Sequence, residues 1–105
     1  MGRVELHQKL NDILESNNVY FQPPTNFKIR HPCIIYELNK IVDRHANNNR
    51  YKTMKKYTVT LIHNNPDTPL IDKLLNLPFT SFDRFYTADT LNHYVYTIYH
   101  KSGGM

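Results

Sequence analysis

Six histidines, at positions 7, 31, 45, 63, 93 and 100, are the residues of this chain most able to bind metal or move protons. No two of them stand four apart on a helix with an intervening glutamate, so the spacing of a zinc-binding helix is absent. His31 and Cys33 are two apart and would share one strand face, but two ligands do not make a site. Acid–base catalysis needs two carboxyls converging in a cleft. Asp83 stands beside Arg84 and Asp89 falls in a turn-forming stretch, which assigns them to an ion pair and an Asx turn. The three glycines are Gly2, Gly103 and Gly104, leaving no internal glycine-rich loop to bring amides to a phosphate. Ser16, Ser81 and Ser102 have no nucleophile-elbow context. Cys33, the single cysteine, has no partner for an intrachain disulfide and reads as a buried thiol in a strand. The expectation is a protein with no catalytic residue, no cofactor and no metal, and therefore not an enzyme.

Stacking is the other chemistry on offer. Eight tyrosines and five phenylalanines supply ring faces, and "HYVYTIYH" puts Tyr94, Tyr96, Ile98 and His100 on one side of a strand with Val95, Thr97 and Tyr99 on the other. No arginine or lysine is interleaved there, as a nucleic-acid platform would want. A strand apolar on both sides is expected to be covered on both, by helices on one and by another protein molecule on the other. The formal charge is +4, and its dense part is "RYKTMKK", where Arg50, Lys52, Met54, Lys56 and Thr58 share one strand parity. That pattern suits a solvated sheet face.

The elements that must position these residues follow from periodicity and punctuation. Leu6, Leu10, Ile13 and Leu14 recur at helical spacing between Val4 and Leu14, ending at an asparagine cap in "SNN". "VYF" is a short strand stopped by Pro23 and Pro24. Pro32 to Asp43 and Tyr51 to His63 read as strands joined by the turn cluster "HANNNR", a long hairpin with a polar tip at Asn47, Asn48, Asn49 and Arg50. A second helix is predicted after Asp67, Thr68 and Pro69, with Leu70, Ile71, Leu74 and Leu75 as its apolar stripe. Two last strands, Thr80 to Thr87 and Tyr94 to His100, flank "ADTLNH", and residues 101–105 read as a flexible tail. With 105 residues this is one α+β domain, 1–105: an antiparallel or mixed sheet of four to five strands with two α-helices packed on one face, order α-β-β-β-α-β-β. No apolar run approaches the ~20 residues that span a bilayer, so a cytosolic, membrane-free life is expected.

"NVYFQPP", "HPCIIYEL", "YTVTLIHNNPD" with "KLLNLPF", and above all "SFDRFYTADTLNHYVYTIY", with Asp83, Arg84, Tyr86, Asp89, Asn92 and His93, resemble the small tail-terminator and tail-completion (head-tail joining) proteins of tailed bacteriophages. The resemblance covers most of the chain. It implies a structural virion protein of the neck or tail end, assembled in the bacterial cytoplasm. Such a protein forms a homo-oligomeric ring, a hexamer, that caps the tail tube and docks on the head-tail connector or stopper, with room for genome DNA to pass. It implies no catalytic residues. A head-side adaptor of the neck and a small nucleic-acid-binding module are the alternatives. The strand pattern places candidate subunit contacts at Tyr51, Tyr57, Tyr94, Tyr96 and Tyr99, with the hairpin tip reaching a neighbour or the tail tube.

Overall fold

Helix α1, Arg3–Leu14, follows from the leucine spacing: Leu6, Leu10 and Leu14 lie on one stripe and all three are buried. The structure is a computed structural model and describes residues 3–28, 30–46 and 49–101. The helix ends at Glu15, whose φ is +58°, with the Glu15 and Ser16 amides both turned back to the Asn11 carbonyl at 2.8 and 3.3 Å. A glutamate, not an asparagine of "SNN", thus takes the left-handed position that closes a helix.

Strand β1, Val19–Phe21, pairs in parallel with β2, Cys33–Ala46. The sheet continues antiparallel through β3, Asn49–His63, then β5, Leu91–Lys101, to the edge strand β4, Thr80–Ala88, in the order β1-β2-β3-β5-β4. Helix α2, Leu70–Leu75, connects β3 to β4. The sheet is mixed, five-stranded and part of an α+β fold, and the chain order is the expected one.

Three boundaries differ from the sequence reading. The turn predicted over residues 45–50 shrinks, because β2 runs on to Ala46 and Asn49 and Arg50 pair with Ala46 and His45 as strand residues. Asn47 and Asn48 lie outside the described residues. "ADTLNH" narrows to Asp89 and Thr90, with φ of +52° and +62°. Two consecutive positive φ values make a type I′ turn, whose twist matches that of the flanking strands. Its usual Asn-Gly signature is missing, so the sequence hid it. Lys101, assigned to the flexible tail, instead pairs with Met54 in β5, and residues 102–105 lie outside the described residues.

Both helices cover one sheet face. Ile34 and Tyr36 of β2, Tyr57, Val59 and Leu61 of β3, and Tyr94, Tyr96 and Ile98 of β5 pack there against Leu6, Leu10, Leu14 and Leu74. Before α2, the Thr68 hydroxyl accepts the Leu70 amide at 3.3 Å, and Pro69 leads into the first turn at φ −67°. The buried tyrosines keep polar partners: the Tyr96 hydroxyl donates to the Ile71 carbonyl at 2.9 Å and that of Tyr94 to the Pro66 carbonyl at 3.4 Å. On the opposite face Cys33, Ile62 and Val95 are also buried. The second side of the last strand is therefore covered within one chain at Val95, where the sequence pattern predicts cover by another molecule.

Candidate functional site

The histidines are dispersed by the elements that carry them. His7, on α1, lies 2.7 Å through Nδ1 from the Tyr36 hydroxyl, which also accepts from Arg3 Nη1 at 3.2 Å. His63 Nδ1 accepts the Asn65 amide at 3.0 Å, His93 stacks on Tyr86 with ring centroids 4.6 Å apart, and His100 Nε2 is 3.6 Å from Glu5. His31 is exposed in the loop before β2, so it and Cys33 do not form a strand pair. The His45 side chain lies outside the described residues. Among the described residues no group of three metal-ligating side chains comes together. Cys33 is fully buried, and burial pushes its thiol up to about 11, far from the thiolate a nucleophile needs. Asp83 and Arg84 pair at 2.9 Å on the surface, while Asp89 sits in the β4–β5 turn.

The five candidate contact tyrosines separate by burial. Tyr57, Tyr94 and Tyr96 are 1%, 6% and 0% exposed, filling the chain's own core under the helices. A ring already enclosed by its own chain has no area left to bury against a second copy, so these three are corrected from contact to core. Burial raises the pKa of all three, Tyr96 to about 12, with the Tyr94 ring and Asp72 adding to the effect. Tyr99, at 37% exposure, still offers a surface. The Tyr51 side chain lies outside the described residues, as do the side chains of Asn49 and Arg50.

The structure brings other apolar residues to the surface. Phe82 and Phe85, both about half exposed, stand over Tyr96 and Tyr94 with centroid distances of 5.5 and 5.2 Å. Residues three apart in a regular strand would face opposite ways. A bulge between Phe82 and Arg84 inserts Asp83, so both rings reach the helix-covered side. Phe79, 70% exposed with φ +57°, and Leu75 at the end of α2 extend this rim. The sequence reading missed it because strict alternation splits the two phenylalanines. The charged doublet between them in "FDRF" was the available signal. Nearby, Leu6, Leu77, Phe79 and Tyr99, with Lys9 and His100, line a cleft of about 260 Å³ between α1 and the start of β4.

The hairpin of β2 and β3 is the other prominent feature. Its pairing continues to Ala46 opposite Asn49, whereas β5 ends opposite Met54, so among the described residues β3 before Met54 is bonded only to β2. At the base of this arm Leu38 and Ile41 are exposed. Among the described residues no helix is long and apolar enough to cross a membrane. Neither a protein-family model nor a curated protein matches the chain.

Proposed function

We propose that this chain is a structural virion protein of a tailed bacteriophage, which caps the tail tube as a homo-oligomeric ring and joins the tail to the head connector. The observation that carries the reading is the two-stranded arm: β2 and β3 run past the end of β5, with exposed Leu38 and Ile41 at the base. An isolated two-stranded ribbon is marginal in water, and a neighbouring subunit would steady it. Ring closure needs two different patches that meet head to tail. The arm is one, and the Phe79–Tyr99 cleft is a receiving surface of suitable polarity. The sequence blocks from Asn18 to Tyr99 that resemble tail-completion proteins support the same role. The dispersal of the described histidines and the buried thiol support assembly over catalysis.

Sedimentation and electron microscopy of the purified protein, alone and with tail tube protein, test this. A ring, formed alone or on the end of the tube, is the expected result. A chain that forms no ring and does not bind tube ends overturns it. Binding to purified connector but not to tube assigns the chain to the head side of the neck. One observation favours a nucleic-acid role: the Tyr86–His93 stack lies on the open face in register with Cys33 and Ile62, one row from Arg84. Retention on single-stranded DNA with a steep salt dependence would move the assignment to that class.

A further inference from the structure

The outer edge of the sheet is β4, nine residues that are exposed apart from partly buried Thr80, and among the described residues its one neighbouring strand is β5. The opposite edge, β1, has three residues and is followed by Pro23 and Pro24, which protect it. β4 has neither protection. Its sequence from Thr80 to Thr87 is TSFDRFYT, which is self-complementary about the point between Asp83 and Arg84. Laid antiparallel on a second copy about a two-fold axis there, Asp83 meets Arg84, Phe82 meets Phe85, Ser81 meets Tyr86 and Thr80 meets Thr87.

The backbone agrees with that register. The Asp89–Thr90 turn makes Ala88 and Leu91 its closing, mutually hydrogen-bonded pair. Counting back by alternation through the bulge, Tyr86, Arg84 and Ser81 direct their amides and carbonyls to β5. The Phe79 carbonyl, which accepts the Tyr99 amide at 3.0 Å, continues the series. Thr80, Phe82, Phe85 and Thr87 therefore point theirs outward. These are the residues that the two-fold register sets opposite one another as hydrogen-bonded pairs. An edge bulge ordinarily disrupts added strands. Here the axis passes through it, so each bulge falls opposite its own copy and the ladder stays matched on both sides.

We propose that β4 is a homodimer interface, through which two chains pair β4 to β4 and join their five-stranded sheets into one. The axis is normal to the sheet, so the helices of both copies lie on one side. Phe82 and Phe85 of each chain pack there as a cross-strand aromatic cluster, and the surface ion pair of Asp83 with Arg84, now within one chain at 2.9 Å, is exchanged between chains. The proposal does not rest on the virion role. A two-fold contact cannot by itself close a larger ring.

Sedimentation of the wild-type protein over a range of concentrations should show a species of twice 12.5 kDa. Asp83→Arg, which sets like charges opposite one another twice per dimer, should weaken it about tenfold, and so should Arg84→Asp. The swap Asp83→Arg/Arg84→Asp should restore it to within about threefold, since the cross-strand pairing is regained. Hydrogen exchange on the wild type reads the same register without substitution: the amides of Thr80, Phe82, Phe85 and Thr87 should slow as concentration rises. A single-chain mass throughout, a dimer that leaves those amides unprotected, or a swap as weak as the single reversals overturns the proposal. If a reversed variant does not fold, the exchange measurement decides alone.

Discussion

Tyr96 shows how one residue can be apolar filler and polar bracket together. Its ring is fully enclosed and its hydroxyl donates to the Ile71 carbonyl of α2, tying β5 to the helix. Tyr96→Phe keeps the ring and should cost about 1 kcal/mol of stability, whereas Tyr96→Ala opens a cavity and should cost about 3–5 kcal/mol. Urea unfolding of the two variants checks this, and a small effect of the alanine variant would contradict core placement. At His7, burial and then the adjacent Arg3 charge hold the imidazole below its ordinary 6.5. The unfolded chain takes up that proton first as the pH falls. The stability contributed by neutral His7 is thus complete above 6.5 and is lost as the pH drops through the lower folded value. Thermal midpoints near pH 7.5 and pH 5.5 should therefore differ more in the wild type than in His7→Gln. Equal differences would show that the ring does not titrate this way.

At the scale of elements, the chain turns without glycine. Glu15, Gln22, Phe79, Asp89 and Thr90 all have positive φ, a conformation that costs a side-chain-bearing residue about 1–2 kcal/mol. Thr90 is the least suited, being β-branched. Thr90→Gly removes that strain at some entropic cost, and should stabilise the protein by about 0.5–1 kcal/mol, read as a higher thermal midpoint. A lower midpoint would mean that the Thr90 side chain contributes more than its backbone costs. The same economy explains which elements were legible. α1 was, because three leucines at four-residue spacing need no context, and so were both long strands. The β4–β5 turn was not, since its residues carry no turn signature and only the pairing of the strands imposes the conformation. The β4 bulge was hidden for a related reason: its register is set by β5.

For the whole molecule, two kinds of outward surface remain after the core is built. The arm and the cleft differ from each other and suit head-to-tail contacts, while β4 matches itself and suits a two-fold. Mass and symmetry measurements on one sample therefore separate the two proposals. A dimer that persists when tube protein is absent, and a ring when it is present, is the expected pair of outcomes. A ring whose yield is unchanged by Asp83→Arg would show that ring contacts do not use the β4 edge.

The amino-acid sequence by itself determined the element order, the one-sided helical cover and the absence of glycine from the interior, because periodicity and punctuation are local properties of the chain. It also carried the self-complementary run about Asp83 and Arg84, although nothing local marks that run as an edge. Only the tertiary structure decided which tyrosines are core and which are surface. Tyr57, Tyr94 and Tyr96 have the same chemistry as Tyr99, and their burial depends on where α1 and α2 lie across the sheet. That choice follows from strand register, in which a shift of one residue exchanges the two faces.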